Sequence, residues 1–120
     1  MRRQGTILII DDEEIMREIL DTLLTREGYR VRLAASGTEG LEVVRSTPVD
    51  AVIVDVMMPG MDGLAVLDAI RNIDDELPVL MITAFASMET AVTAMKKGAF
   101  DYITKPFKND EVLVGLNNAV

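Results

Sequence analysis

Polar residues that can do chemistry stand at the ends of four short, largely apolar runs in this sequence. Asp11 and Asp12 follow the first run, and Asp55, Thr83 and Lys105 follow the other three. If the runs are parallel strands of an α/β sheet, their carboxyl ends meet at one crevice, so these five side chains converge there. Three carboxylates, a hydroxyl and an ammonium in one crevice would suit a divalent cation and a phosphoryl group.

The three carboxylates call for a compensating cation. Two like charges ~4 Å apart repel by roughly 4 kcal/mol at an effective dielectric near 20. Because the chain has no His and no Cys, only hard oxygen ligands remain, and these favour Mg²⁺, Mn²⁺ or Ca²⁺. Few protein ligands suit Mg²⁺, which keeps waters and shares phosphate oxygens. Beside such an ion, Asp55 can attack a phosphoryl group to form an acyl phosphate, while Lys105 neutralises the phosphoryl oxygens.

Each of these residues also has an ordinary structural explanation. The pair Asp11–Asp12 can cap a following helix, and Asp55 can start a turn. Lys105 can be a solvated surface lysine, and Thr83 a plain strand end. Their joint placement at four strand ends favours the functional interpretation.

Composition and charge exclude several classes of protein. A chain of 120 residues suits one domain with a single core, and 49 % hydrophobic content argues against disorder. A formal charge of −8 argues against direct nucleic-acid binding, which usually needs a basic patch. The absence of Cys and His removes disulfides, zinc sites, thiol nucleophiles and histidine bases. The apolar runs are too short to span a membrane and no signal peptide follows Met1, so we expect a cytoplasmic protein.

Strand and helix patterns alternate along the whole chain. The predicted strands are Thr6–Ile10, Arg30–Ala34, Ala51–Val54, Val79–Ile82 and Asp101–Thr104. The first and third predicted helices are Glu14–Arg26 and Leu64–Asn72. The second begins with the capping box Ser36–Glu39 and ends near Arg45, and the fourth extends from a Ser87 cap to Lys96–Gly98. The fifth is capped by Asn109 or Asp110. Five β–α units without linkers imply an α/β, flavodoxin-like doubly wound (βα)5 sandwich.

The strand patterns also predict the order of the parallel sheet. Strands 1, 3 and 4 are continuously apolar, as strands covered on both faces must be. Strand 2 alternates and strand 5 is short, so both are expected at edges, which gives the order 2-1-3-4-5. The switch point of that order lies between strands 1 and 3, where Asp11, Asp12 and Asp55 stand.

Two helices carry apolar residues at helical spacing, which places the residues of each set on one stripe of the helix. In the first helix they are Ile15, Met16, Ile19, Leu20, Leu23 and Leu24. In the fourth they are Met88, Ala91, Val92 and Met95, which are expected to contact the core, with an exposed Met88 as the open alternative.

Four blocks of the sequence together resemble the signature of response-regulator receiver domains. They are Ile9–Glu13, Asp55–Gly63, Thr83-Ala84 and Lys105-Pro106-Phe107. The resemblance covers about residues 5–120, so we expect residues 1–120 to be one receiver domain, the N-terminal part of a longer protein. The segment Phe100–Phe107 resembles the nitrogen-regulation branch, whose members carry a σ54-activating ATPase and a DNA-binding domain after the receiver.

The resemblance implies a phosphoacceptor and a metal site. Asp55 would be phosphorylated by a sensor histidine kinase of a two-component system. Mg²⁺ would be bound directly by Asp12 and Asp55, mostly through water by Asp11, and by the backbone carbonyl of Met57.

The resemblance also implies how phosphorylation is recognised. Thr83 and Lys105 would contact the phosphoryl oxygens, and Tyr102 would be the switch aromatic. The Lys105–Pro106 bond would be cis. The face made by helix 4, strand 5 and helix 5 would then control an output domain or mediate a homodimer.

The predicted function is therefore a phosphorylation-controlled signalling switch in transcription regulation. Its only catalysis would be its own phosphorylation and dephosphorylation, so it is not expected to be an enzyme. A receiver-like module that works without phosphorylation is disfavoured by the complete set of site residues. A metal-dependent phosphatase usually has a second Asp two residues after the nucleophile, where Met57 stands. A flavodoxin-like electron carrier would need a phosphate loop where the acidic segment Asp11–Glu14 lies.

Overall fold

In a computed structural model that describes residues 5–120, strands and helices alternate from one end to the other. The strands are β1 (Thr6–Ile10), β2 (Arg30–Ala34), β3 (Ala51–Asp55), β4 (Val79–Thr83) and β5 (Asp101–Thr104). The helices are α1 (Glu14–Arg26), α2 (Gly37–Ser46), α3 (Gly63–Ile73), α4 (Met88–Lys96) and α5 (Asn109–Ala119). Every predicted element is present, with ends within one or two residues of those expected.

All five strands are parallel and lie in the order β2-β1-β3-β4-β5. The predicted topology is therefore confirmed. The register pairs Ile10 with Val54, Asp55 with Ile82, and Thr83 with Thr104. The carboxyl ends of β1, β3, β4 and β5 consequently meet along one edge, where the predicted polar site residues end the strands or follow them.

Helices cover both faces of the sheet, and two apolar clusters fill the space beneath them. One face packs against α2, α3 and α4 through Leu8, Ile10, Val52, Val54, Met81, Leu41, Val66, Leu67 and Ala94. The other face packs against α1 and α5 through Ile7, Ile9, Ile53, Leu80, Leu20, Leu24, Val112 and Leu116. β3 and β4 are buried along their whole length, and β1 is buried from Ile7 to Ile10, because both faces of these strands are covered.

The prediction that Val92 and Met95 of α4 contact the core is wrong, while the exposure left open for Met88 is confirmed. Met88 is 83 % exposed, and Val92 and Met95 are about half exposed. α4 instead packs against the core through the small side chain of Ala94, with Ala91 half-buried beside it. Helical spacing shows which residues share a face, but not which face meets the sheet.

The apolar stripe of α1 is divided in the same way. Leu20 and Leu24 are buried, whereas Ile15 and Ile19 lie on the exposed flank of the helix. The stripe therefore includes both core-facing and solvent-facing residues.

Two of the predicted helix caps are confirmed and one is wrong. Ser36 accepts a hydrogen bond from the Glu39 N–H at the start of α2, and Ser87 accepts one from the Thr90 N–H at the start of α4. The residue before α5 is Lys108, not Asn109 or Asp110. There the Glu111 carboxylate accepts from the Lys108 N–H at 2.8 Å, so the cap reaches backwards from inside the helix.

No helix within residues 5–120 is both long and apolar enough to cross a membrane.

Candidate functional site

Asp11 stands at the turn between β1 and α1 and is held on several sides. Its N–H donates to the Ala34 carbonyl of β2 at 3.1 Å. Its carboxylate Oδ1 accepts from the Glu13 N–H at 2.9 Å, which closes the turn. Glu13, not either aspartate, is the residue before α1. Asp11 is therefore a buried carboxylate with a fixed direction, while Asp12 beside it is exposed.

Asp55 is the last residue of β3 and is only 6 % exposed. Its Oδ1 accepts from the Met57 N–H at 3.1 Å, and its Oδ2 faces Lys105. The loop after it returns at once, because the Gly63 N–H donates to the Val56 carbonyl at 2.8 Å. A Cβ at Gly63 would overlap the carbonyl oxygen of Asp55 and lie 2.7 Å from the Cα of Val56, so the return requires glycine.

The ammonium of Lys105 joins carboxylates that come from two strands. Its Nζ lies 3.0 Å from Asp55 Oδ2, 3.2 Å from Asp11 Oδ2 and 3.6 Å from Glu13 Oε1. The side chain is 9 % exposed. Its backbone is held by a hydrogen bond from the Lys105 N–H to the Thr83 carbonyl, and the Lys105–Pro106 bond is cis, as expected. The lysine predicted at this edge is a buried ion-pair partner rather than a solvated surface residue.

Burial and charge act in opposite directions on the two groups of this pair. Burial raises the pKa of Asp11 above its ordinary value, although the Glu13 N–H and Lys105 oppose the shift. Burial lowers the pKa of Lys105, but the hydrogen bond and charge of Asp55, together with Asp11, outweigh it, so that pKa is raised. Lys105 therefore stays protonated at neutral pH. Its contribution to stability is complete below pH 10.5, its ordinary pKa, and is lost as the pH rises through the raised value.

The three aspartates form a cluster that fits a hard cation. Asp11, Asp12 and Asp55 each offer a carboxylate oxygen, and these oxygens lie within 4.8 Å of one another. A donor set of oxygens alone is what Mg²⁺ and similar ions prefer. A cavity of about 300 Å³ lies against the cluster and is lined by Asp12, Glu13, Asp55, Met57, Ala84, Phe85 and Lys105. The cavity is therefore in contact with two aspartates of the cluster, Asp12 and Asp55, and with Lys105.

Thr83 and Tyr102 lie beside the site without joining it directly. Thr83 ends β4, is fully buried, and accepts from the Phe85 N–H through its hydroxyl at 3.1 Å. Tyr102 pairs with Met81 in the sheet, and its hydroxyl is enclosed without a hydrogen-bond partner among residues 5–120. Within that range neither hydroxyl is hydrogen-bonded to Asp55 or Lys105.

Arg17 is a residue at the site that the sequence does not single out. One guanidinium nitrogen donates to the backbone carbonyl of Asp11 at 2.7 Å. The residue looks like one of several charges on an amphipathic helix, and no spacing rule marks it. Its position on the first turns of α1, close after the acidic pair, is the one available signal.

The fold and site together define a class of protein: a flavodoxin-like α/β domain with an acidic, lysine-containing pocket at the switch point of its sheet. A family model described as the response regulator receiver domain matches residues 7–117, and the chain belongs to that family. The predicted identity is confirmed, and the chain is the receiver module of a response regulator, a signalling switch.

Named relatives agree with this assignment. A protein named as an NtrX-like response regulator of Rickettsia bellii is 43 % identical over 115 residues, covering 94 % of this chain and 24 % of the relative. The transcriptional regulatory protein ZraR of Escherichia coli is 45 % identical over 114 residues, covering 95 % of this chain and 26 % of ZraR. The chain thus spans about a quarter of the length of these relatives.

Solved structures share the fold. The chemotaxis protein CheY4 of Vibrio cholerae superposes with a TM-score of 0.92 at 30 % identity, covering 98 % of this chain and 99 % of that one. NtrX of Brucella abortus, solved in complex with ATP, gives 0.90 at 36 % identity, covering 97 % of this chain and 27 % of that one. The NtrX-like relative and the solved NtrX structure confirm the resemblance to the nitrogen-regulation branch.

Proposed function

We propose that Asp55 accepts a phosphoryl group from a sensor histidine kinase, with Mg²⁺ held at the aspartate cluster. In this proposal Asp12 and Asp55 bind the ion directly, Asp11 binds it mostly through water, and the Met57 backbone carbonyl is a further ligand. The observation that carries the proposal is the Lys105 ammonium 3.0 Å from Asp55 beside three clustered carboxylates. The ion would neutralise charge on the phosphoryl oxygens.

Phosphoryl transfer requires a carboxylate that is held in a fixed direction and still has a lone pair free for the attack. The Met57 N–H fixes Asp55 Oδ1, and Lys105 holds Oδ2. One carboxylate oxygen attacks phosphorus, and the bond from phosphorus to the donor nitrogen or oxygen breaks, with its electron pair leaving on the donor. Lys105 then follows the new charge to a phosphoryl oxygen.

Thr83 is the proposed second contact to the phosphoryl group. Its oxygen accepts from the Phe85 N–H, so its own hydrogen remains available for donation. Turning that hydroxyl towards Asp55 displaces the loop that leads into α4. Tyr102, on the neighbouring strand, would respond to this displacement as the switch aromatic.

The proposed output surface is the face formed by α4, β5 and α5. It would contact an output domain C-terminal to residue 120 or a second copy of the domain. The exposed Met88, Val92 and Met95 of α4 supply apolar area for either contact. Because the relatives named NtrX-like and ZraR are about four times longer than this chain, a σ54-type ATPase and a DNA-binding domain are the proposed output. The receiver would act in the cytoplasm, without turnover of an external substrate and without contacting nucleic acid itself.

Phosphorylation with acetyl phosphate tests the proposal. We expect intact-mass spectrometry to show one added phosphoryl group that needs Mg²⁺, disappears with chelator and is removed by alkaline hydroxylamine, as an acyl phosphate is. Asp55→Asn should take up none. Asp75→Asn, an exposed aspartate in the loop before β4, should be labelled like the wild type. Full labelling of Asp55→Asn would place the nucleophile elsewhere.

A further inference from the structure

Arg17 reaches from α1 to the backbone between the two adjacent aspartates of the cluster. Its guanidinium donates to the Asp11 carbonyl at 2.7 Å, and the side chain is partly buried in doing so. That carbonyl follows the end of β1 and precedes α1, so it has no place in the sheet ladder or the helix. A buried carbonyl without a donor is costly, and Arg17 supplies the donor.

The bond to Arg17 completes a set of contacts that fix Asp11. The Asp11 N–H is held by the Ala34 carbonyl, Oδ1 by the Glu13 N–H and Oδ2 by Lys105. The carbonyl held by Arg17 belongs to the same planar peptide unit as the Asp12 N–H. Fixing that plane sets the direction in which the exposed Asp12 leaves the backbone.

We propose that Arg17 is a positioning residue for the metal site, acting through the Asp11–Asp12 peptide unit. The inference rests on the proposed Mg²⁺ site. Within residues 5–120, Arg17 is not hydrogen-bonded to a proposed ligand oxygen, and its guanidinium bonds the backbone that carries two of the ligand residues. Residues that hold ligands in place typically change metal affinity about 10- to 100-fold when removed.

The direction in which Mg²⁺ affinity changes when Arg17 is replaced distinguishes a positioning role from a purely electrostatic one. As a cation close to the cluster, Arg17 repels Mg²⁺, so loss of its charge alone would tighten binding. As a positioning residue it organises the ligands, so its loss weakens binding. Replacement by methionine keeps much of the apolar stem and removes both the charge and the donor. Replacement by lysine keeps the charge and one possible donor.

Mg²⁺ titration followed by amide NMR shifts provides the test. We expect Arg17→Met to raise the Mg²⁺ dissociation constant about tenfold and Arg17→Lys to restore much of the affinity. Arg26→Met removes a cation from the exposed last turn of the same helix and should leave affinity unchanged or slightly tighter. Unchanged or tighter binding by Arg17→Met would overturn the inference.

A readout without metal shows whether the peptide unit moves. In the metal-free protein, Arg17→Met should shift the Asp11 carbonyl carbon and the Asp12 amide, and Arg26→Met should not. If Arg17→Met does not fold, Arg17→Lys provides the test. A displaced Asp11 resonance with undiminished Mg²⁺ affinity contradicts the inference. A displaced resonance with weaker Mg²⁺ affinity supports it, as does an unchanged resonance with unchanged affinity. Absence of Mg²⁺ binding in the wild type would instead refute the proposed function.

Discussion

Among the single residues of the site, Lys105 reduces the electrostatic repulsion within the aspartate cluster. The three carboxylates do not face one another unscreened, because the ammonium lies within 3.2 Å of both Asp11 and Asp55. One ammonium still leaves the cluster with excess negative charge, and Glu13 adds to it at 3.6 Å from Nζ. The raised pKa of Asp11, caused first by burial, shows that its charged form is disfavoured there. A divalent cation would complete the neutralisation.

Mg²⁺ is therefore expected to raise the melting temperature at low ionic strength. Binding to the folded state alone stabilises it by about 2.7 kcal/mol at 100 times the dissociation constant. Asp55→Asn keeps an oxygen near Lys105 but removes a charge, so it should raise the melting temperature without metal and reduce the Mg²⁺-induced rise. Thermal unfolding with and without Mg²⁺ measures both effects.

The control for this prediction is a neutralised aspartate outside the cluster. Asp75→Asn changes net charge equally but should leave the Mg²⁺-induced rise intact. A lower metal-free melting temperature for Asp55→Asn would mean that its ion pair with Lys105 outweighs repulsion within the cluster.

The charged residues of the site could be found from the sequence because each one stands at the end of a strand or just after it. Parallel strands bring such positions together, so Asp11, Asp55 and Lys105 could be placed without coordinates. Sequence reasoning could not find Arg17, since its contact is with a backbone atom and leaves no residue-type signature. Nor could it show that the Thr83 hydroxyl bonds the Phe85 N–H, which depends on a loop conformation.

At the scale of elements, strand order was predictable and helix orientation was not. The buried strands differ from the edge strands in composition because they are covered on both faces. The orientation of α4 was not predicted, because the small Ala94 packs against the core while the larger Met88 and Val92 are exposed to solvent. The cap of α5 was missed because Glu111 reaches back to the Lys108 N–H, a bond that any residue before the helix can donate.

The start of α3 carries a prediction about the phosphoacceptor strand. A Cβ at Gly63 would overlap the Asp55 carbonyl, so Gly63→Ala must displace the end of β3 or the loop. We expect a loss of about 1–3 kcal/mol in the free energy of unfolding, typical of overpacking, and slower phosphorylation of Asp55. Denaturant unfolding and the rate of labelling by acetyl phosphate measure the two effects.

Gly60→Ala is the matched control, because it changes a glycine in the loop between β3 and α3 that ends at Gly63. Gly60 has φ +75° and open space around its Cβ position, so alanine adds backbone strain without touching Asp55. This variant should lose stability but keep its phosphorylation rate. Equal labelling rates for Gly63→Ala and the wild type would show that the contact does not position Asp55.

At the scale of the whole molecule, α4 is the helix with the weakest hold on the core. Ala94 is its one buried residue, whereas α1 has two buried leucines and α3 has four buried residues. An exposed ion pair between Lys97 and Asp68, 2.9 Å apart, joins its C-terminal end to α3. Exposed pairs of this kind contribute about 0–1 kcal/mol. Because α4 has few contacts with the core and directly follows the loop after Thr83, it can move in response to a change at Asp55.

A phosphoryl mimic at Asp55 should alter one side of the domain. The phosphoryl group carries about −1.5 to −2 charges in place of the single charge of the Asp55 carboxylate, and beryllofluoride with Mg²⁺ should mimic it. We expect large amide shifts in Ser87–Lys97 and Asp101–Asn118 and small ones in Thr38–Arg45, because α2 packs closely against β1 at Gly40. Asp55→Asn should show none of them. Shifts confined to the loops around Asp11, Asp55 and Lys105 would mean that the site takes up the group but no helix responds, and the proposed output face would then be wrong.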